Sequence, residues 1–136
     1  MSEIKEDYVS FEVAKLLKEK GFNELCSRYY NSQFDEMRTV GDICMMNWNS
    51  ISINDEFYYI SIPTHQMAIK WLREKYNIYI SIQPDFPSSK DYKMYWCWSA
   101  NILHDNCVSL KGYQCYIETY EKATEEAIKY CLDNLI

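Results

Sequence analysis

Ile78-Tyr79-Ile80-Ser81-Ile82-Gln83 places an isoleucine at every second position of the chain. Successive side chains of a β-strand point to opposite faces, so this alternation predicts a strand with one apolar and one polar face. Similar alternation occurs in residues 92–103 and 113–119. Turn-forming residues separate the runs, at 84–89 and from His104 to Gly112. We therefore expect an antiparallel meander of three strands.

Helical patterns flank these strands. Pro63-Thr64 precedes apolar residues at helical spacing, and this second helix should end near Asn77. A third helical pattern runs from about Tyr120 to the C-terminus. The sequence thus predicts an α+β fold: an antiparallel sheet with helices packed on one face, whose C-terminal half runs helix-strand-strand-strand-helix.

The N-terminal half is less regular. Ser10 is a suitable N-cap for a first helix over residues 11–20, and Gly21 is suited to the position beyond its end. Residues 23–62 contain two strand-like runs, Cys26 to Tyr30 and Phe57 to Ile62, with mixed signals between them. No linker-like composition interrupts the chain, so we predict a single domain over residues 1–136.

Three segments of this sequence carry a resemblance to other proteins, and they coincide with the predicted helices. They are Val9 to Phe22, Pro63 to Glu74 and Thr119 to Ala127. These segments resemble an uncharacterised family of short proteins from gut bacteria and their phages. The resemblance implies a bacterial or phage accessory protein, and it brings no known activity with it.

Composition limits the classes of partner. The chain has 136 residues, 48% of them apolar, and a formal net charge of −6. Phosphate backbones and anionic lipids attract clustered lysine and arginine, so the acidic composition argues against nucleic acid as a partner. No apolar run approaches the roughly 18 residues of a membrane span. We expect no membrane association and a protein as partner, with a homodimer as one form of it.

The sequence around the six cysteines shows no signs of a secreted protein. The chain starts Met1-Ser2-Glu3-Ile4 without an apolar signal segment, and no Asn-x-Ser/Thr sequon occurs. We therefore expect a cytoplasmic protein with reduced cysteines that act mainly as small apolar side chains. They are Cys26, Cys44, Cys97, Cys107, Cys115 and Cys131.

Metal and cofactor sites find little support in the sequence. His104, Cys107 and Cys115 could supply zinc ligands, with Cys97 as a fourth, but no Cys-x-x-Cys pair occurs. None of the three glycines belongs to a phosphate-binding loop. The sequence therefore predicts no metal and no cofactor.

Catalytic groups are equally sparse. His104-Asp105-Asn106-Cys107 has the residue types of a small thiol-dependent enzyme, which we keep as an alternative, but the same residues are typical of a turn. His65 begins a helix, where a solvated or capping role is expected. The carboxylate pairs Asp35-Glu36 and Asp55-Glu56 are typical of solvated loops. Catalytic residues remain unknown.

A second alternative comes from topology. Helix, three-stranded meander and helix is similar to a double-stranded-RNA-binding domain, which grips phosphates with lysines at the start of its last helix. Here that helix begins Tyr120-Glu121-Lys122, with Glu125 and Glu126 following. The resemblance is architectural, because repulsion replaces attraction at this position.

The predicted sheet also indicates a candidate interaction face. Alternation assigns one set of side chains to the face under the helices: Ile78, Ile80, Ile82, Met94, Trp96, Trp98, Ile102, Tyr113, Cys115 and Ile117. The opposite face then contains Tyr79, Tyr95 and Tyr116, among polar residues. Tyrosine combines large contact area with a polar tip, and these three residues are therefore our candidate site. The sequence favours a small, non-enzymatic protein-interaction protein.

Overall fold

The computed structural model describes residues 3–52, 54, 56–85 and 93–136. The chain folds into two compact units, residues 1–67 and 68–136. Within the described residues, three α-helices and two antiparallel three-stranded sheets form an α+β fold, as predicted. No helix within the described ranges is long and apolar enough to cross a membrane.

The first unit begins with α1, Phe11–Glu19. Ser10 caps it as expected, because its hydroxyl accepts a hydrogen bond from the backbone N–H of Val13 at 3.2 Å. Gly21 follows the helix with φ +89°, a conformation that glycine adopts without strain, and the Phe22 N–H donates to the carbonyl of Leu17. The sequence predicted this helix end correctly.

The sheet of the first unit has the order β2-β1-β3. Its strands are β1 (Arg28–Asn31), β2 (Glu36–Thr39) and β3 (Tyr59–Ser61). The first predicted strand-like run therefore overlaps β1, which extends one residue further to Asn31, and the second contains β3. The segment between them adds β2 and two short 3-10 turns, Asp42–Cys44 and Trp48–Ser50. Trp48 is buried, and its ring stacks on Tyr29 with centroids 3.9 Å apart.

The second unit contains the predicted order of helix, three strands and helix. The helix α2, His65–Tyr76, starts in the last residues of the first unit and continues into this one. The strands β4 (Ile78–Asp85), β5 (Tyr95–His104) and β6 (Cys107–Ile117) form an antiparallel sheet in that order. The last helix, α3, spans Tyr120–Asn134 and packs on all three strands.

The core of the second unit lies between α3 and one face of this sheet. The strands contribute Ile78, Trp98, Ala100 and Ile117, all at most 4% exposed. From α3 come Ala123, Ala127, Ile128, Cys131 and Leu132, all fully buried. These residues recur at helical spacing along α3, which explains why the sequence identified this helix.

The third strand differs from the prediction, because β6 begins at Cys107 and not at Tyr113. Lys111 and Gly112 were expected to form a turn, yet both lie inside β6. Gly112 is placed against the Tyr130 ring of α3. A glycine in a strand can mark a close approach of another group, and that is its role here.

The turn between β5 and β6 consists of Asp105 and Asn106 alone. Both have positive φ, 48° and 62°, between the paired residues His104 and Cys107. Two left-handed residues in a two-residue hairpin form a type I′ turn, whose twist matches that of the strands. The predicted turn at this position is confirmed. The predicted turn after β4 lies partly outside the described residues, and its first two residues, Pro84 and Asp85, belong to β4.

Candidate functional site

We refer to the side of the β4–β5–β6 sheet that is turned away from α3 as the open face. Its side chains are those of Tyr79, Ser81, Gln83, Asp85, Tyr95, Cys97, Ser99, Asn101, Leu103, Val108, Leu110, Tyr113, Cys115 and Tyr116. Asp85 is the only charged side chain among these strand residues, and the Lys93 ammonium lies beside them, 5.6 Å from the Tyr95 ring centroid. A face with hydroxyl, amide, aromatic and aliphatic groups but few charges has the composition of an interface core.

The three tyrosines predicted for this face lie on it. Tyr79 is opposite Asn101 in the register, and Tyr95 is opposite Asp85. The ring of Tyr116 meets the ring of Tyr95 edge-on, with centroids 5.9 Å apart. The structure thus brings Tyr95 and Tyr116 together at one end of the face, while Tyr79 lies at the other end of β4.

Two residues that were predicted to lie under the helices are on the open face instead. Tyr113 is opposite Ser99, and the Cys115 thiol faces the Cys97 thiol. The prediction was wrong because strict alternation was counted back from Ile117 across a β-bulge. Cys115 and Tyr116 both stand opposite Cys97, and one extra residue reverses the face of everything before it. Met94, also predicted to be covered, is half exposed and precedes β5.

Tyr116 is the extra residue of this bulge, and its φ of +62° lies in the left-handed region. A side chain with a Cβ atom adopts that conformation at a cost of about 1–2 kcal/mol. A second register shift occurs between Ala100 and Asn101, where Lys111 is the extra residue of β6. The two bulges keep Leu110, Tyr113 and Cys115 on the open face.

A shallow cavity of about 290 Å³ occupies the middle of the open face. Its polar rim comes from Ser81, Gln83 and Ser99, and its apolar side comes from Leu110 and Tyr113. Leu110 and Tyr113 are 59% and 68% exposed. Large apolar groups around a concave polar patch are suited to recognition, because contact would remove them from water.

Three potential ligand groups meet at the end of the open face near Tyr95. The Sγ atoms of Cys97 and Cys115 are 2.6 Å apart, and a carboxylate oxygen of Asp85 lies within 4.8 Å of both. All three residues are half-buried. Partial burial raises the pKa of the Cys97 thiol to about 12, and the neighbouring Cys115 thiol and Asp85 carboxylate act in the same direction.

Of the four zinc ligands considered from sequence, Cys97 and Cys115 meet, but His104 and Cys107 do not join them. His104 and Cys107 are paired at the hairpin end of the sheet, seven residues along β5 from Cys97, which corresponds to about 23 Å. His104 Nε2 lies 3.5 Å from Asp105 Oδ2, and both side chains are more than 80% exposed. Sequence reasoning missed Asp85 because it lies next to Pro84 in a segment expected to be a turn.

Other residues singled out from sequence have structural roles. His65 was expected to be solvated or to cap its helix, but it is buried at 7% exposure. Asp35 occupies the β1–β2 turn, where its carboxylate accepts a 2.6 Å hydrogen bond from the Tyr30 hydroxyl and raises the Tyr30 pKa to about 12. Glu36 forms an exposed ion pair with Arg38. The second carboxylate pair includes residue 55, which lies outside the described residues.

The first unit has a groove of its own, about 450 Å³ in volume, lined by Lys15, Lys18, Glu19, Tyr58 and Ile60. The Lys18 ammonium donates a 2.8 Å hydrogen bond to the carbonyl of Tyr59 and lies 5.1 Å from the Tyr58 ring centroid. Partial burial lowers the pKa of Lys18. Both groups that contact the Lys18 ammonium belong to the same unit. Packing within that unit therefore explains the position of this lysine in the groove.

Comparison with known proteins identified no relative. No family model, no curated protein and no solved structure matches the chain. Function must therefore be argued from the residues of the open face.

Proposed function

We propose that the chain is a non-enzymatic protein-interaction protein, and that its open face binds the same face of a second copy. The observation that carries this proposal is the scarcity of charge on an exposed, tyrosine-rich sheet face of a protein with net charge −6. Charged residues are depleted, and tyrosine is enriched, in the cores of protein interfaces.

The exposed groups of the face favour protein over nucleic acid. Leu110, Tyr113 and Tyr116 are 59%, 68% and 72% exposed. The Lys93 ammonium lies 5.6 Å from the Tyr95 ring centroid at one end of the face, but among the described residues no lysine or arginine occupies a paired strand position of the face, whereas phosphate recognition requires clustered cations. The start of α3, where double-stranded-RNA-binding domains carry lysines, has Glu121 in its first turn. The nucleic-acid alternative therefore has only the order of its elements in support.

A thiol-dependent enzyme is also less well supported. A nucleophilic cysteine has a lowered pKa, because the thiolate is the reactive species. The pKa of Cys97 is raised to about 12. The exposed Cys107 follows a solvated type I′ turn, and this turn accounts for the His104-Asp105-Asn106 sequence without catalysis.

Charge selects the second copy as the occupant. A molecule of net charge −6 repels its copies through most of its surface, and a nearly uncharged face is where that repulsion is weakest. A symmetric contact places the same patch on both subunits, so aromatic and aliphatic groups meet their like. The face needs no oppositely charged partner.

The dimensions of the face set the expected strength. Strands of 8, 10 and 11 residues form a surface about 30 Å long and about 14 Å wide. That is roughly 400 Å² per subunit, half of the ~800 Å² in an interface of standard size. We expect a transient dimer with a dissociation constant on the order of micromolar.

Two expectations support an accessory role inside a bacterial cell. The three helices resemble short bacterial and phage proteins, and the six cysteines are expected to be reduced. This origin and location remain part of the proposal. Neither is needed for the self-association that the experiment measures.

Sedimentation equilibrium of the full chain, from about micromolar to about millimolar concentration, tests self-association. Leu110→Lys places a charge on the open face, and burial of that charge in the contact is costly, so the dimer should disappear. Ser109→Lys adds the same charge one residue away, in the register of the opposite face. We expect this control to dimerise like the parent.

A parent chain that is monomeric over the whole concentration range would exclude the proposed dimer. A dimer that Leu110→Lys and Ser109→Lys affect equally would place the contact elsewhere. Thermal unfolding of both variants should match the parent, because both positions are exposed.

A further inference from the structure

We propose that Cys97, Cys115 and Asp85 form a binding site for a zinc ion on the open face. The two Sγ atoms and a carboxylate oxygen of Asp85 all lie within 4.8 Å of one another. Each ligand comes from a different strand of one sheet, β5, β6 and β4. This inference stands on a separate observation from the proposed self-association, and either can fail without the other.

The chemistry of the three groups selects the metal. Two thiols and one carboxylate match the sulfur and oxygen ligands that Zn²⁺ accepts in tetrahedral geometry. Calcium and magnesium require six or more oxygen ligands, which this cluster does not provide. Three protein ligands leave the fourth zinc position to water or to a group from outside the chain.

The fold provides the geometry through the bulge at Tyr116. Without the extra residue, alternation from the buried Ile117 would put Cys115 under α3, away from Cys97. The bulge puts both thiols on the same face, and it does so with a non-glycine residue in a left-handed conformation. Bulges of this kind are over-represented beside functional sites, where they redirect a side chain.

Asp85 completes the group because β4 continues past Pro84. In the register, Gln83 is opposite Cys97 and Asp85 is opposite Tyr95, so Asp85 is the diagonal neighbour of Cys97 on the same face. Proline is tolerated here because β4 is the first strand in the order β4-β5-β6. Strands position ligands more rigidly than loops do.

Zinc binding releases a defined number of protons. Each thiol releases its proton as its sulfur becomes a ligand, so two protons leave for each zinc bound, and no oxidation is involved. Zinc–sulfur bonds of about 2.3 Å in a tetrahedron separate two sulfurs by roughly 3.8 Å. The Cys97 and Cys115 sulfurs must therefore move apart by about 1 Å, which small rotations about the Cα–Cβ bonds allow.

The test uses the full, reduced chain with Cys44→Ser and Cys107→Ser, which remove the exposed thiols. Co²⁺ serves as the spectroscopic probe, and Zn²⁺ affinity is then measured by competition with a chromophoric chelator. We expect one Co²⁺ per chain, with thiolate-to-cobalt charge-transfer absorption and the intense visible bands of tetrahedral coordination. Zn²⁺ should displace the cobalt and abolish both.

Single substitutions identify the ligands. Cys97→Ser and Cys115→Ser should each abolish the charge-transfer band or weaken Zn²⁺ binding by at least about 100-fold, and Asp85→Asn should weaken it by roughly 10–100-fold. Asp105→Asn changes an exposed carboxylate in the same unit and should bind like the parent. Binding that Asp85→Asn leaves unchanged would remove Asp85 from the site.

Two results would overturn the proposal. One is the absence of a cobalt–thiolate band in the reduced parent. The other is a Cys97–Cys115 disulfide in chain purified without reductant, with no Zn²⁺ binding after reduction, which would identify a redox pair. Should a cysteine variant fail to fold, the zinc-dependent shift in melting temperature of the parent against Asp85→Asn still decides the outcome.

Discussion

The ring of Tyr130 fills the space into which a side chain at Gly112 would project. An ideal Cβ atom on Gly112 would lie 2.5 Å from Cε1 and 2.9 Å from the hydroxyl oxygen of Tyr130. The same hydroxyl donates a 2.7 Å hydrogen bond to the carbonyl of Lys111, and the ring packs against Trp98 with centroids 5.1 Å apart. β6 and α3 therefore meet through a contact that only glycine permits.

We expect Gly112→Ala to reduce the free energy of unfolding by roughly 1–3 kcal/mol, because the tyrosine ring must shift or the strand must move. Gly41→Ala is the matched control, since a Cβ atom there meets nothing within 4 Å. Its effect should stay within about 0.5 kcal/mol. Urea denaturation measures both, and equal effects would refute the packing role of Gly112.

At the hairpin turn, we expect one substitution to increase the free energy of unfolding. Asn106 has φ +62°, so Asn106→Gly should stabilise the second unit by up to about 1 kcal/mol, and Asn106→Val should destabilise it by about 1–2 kcal/mol. Ser109→Val is the control, because a β-branched residue suits an exposed strand position. Thermal unfolding that ranks valine above glycine at position 106 would contradict the type I′ turn.

The two buried cysteines, Cys26 and Cys131, give the protein a pH dependence. Burial raises the pKa of the Cys26 and Cys131 thiols from 9.0 to about 12. Above pH 9 the unfolded chain loses these protons while the folded chain keeps them, so stability falls as pH rises from 9 towards 12. Below pH 9 this contribution is constant.

Each buried thiol should add roughly 1 kcal/mol per pH unit to that slope. Urea denaturation of Cys131→Ala between pH 9 and pH 11 should show a shallower slope than the parent, although the variant is less stable overall. The exposed Cys107 provides the control, and Cys107→Ala should keep the parental slope. A slope that both variants share would show that other groups titrate.

The tyrosines of the open face should matter for association and little for folding. Tyr79→Ala combined with Tyr95→Ala should leave the melting temperature close to that of the parent and weaken the dimer at least about tenfold. Tyr130→Ala, which removes a ring packed on Trp98, should instead lower the unfolding free energy by about 3 kcal/mol or more. A large loss of stability in the Tyr79 and Tyr95 variant would show that these rings are core.

Local features of this protein were determined by the sequence alone. The helix ends at Ser10 and Gly21 follow from capping and from the left-handed freedom of glycine, both of which involve neighbouring residues only. The alternation at 78–83 and the periodicity of α3 predicted the strands, the last helix and the α+β class, since burial on one face imposes these repeats. The candidate tyrosines were found by the same rule.

Tertiary structure decided the rest. The alternation of apolar and polar residues does not reveal a β-bulge. The sequence therefore could not show that the extra residue Tyr116 reverses the face of Cys115 and Tyr113. The sequence predicted a turn at Gly112, because the residue that packs against it, Tyr130, is 18 residues away in the chain. The Asp85, Cys97 and Cys115 cluster arises for the same reason: backbone pairing between three strands brings together side chains whose spacing in sequence has no pattern.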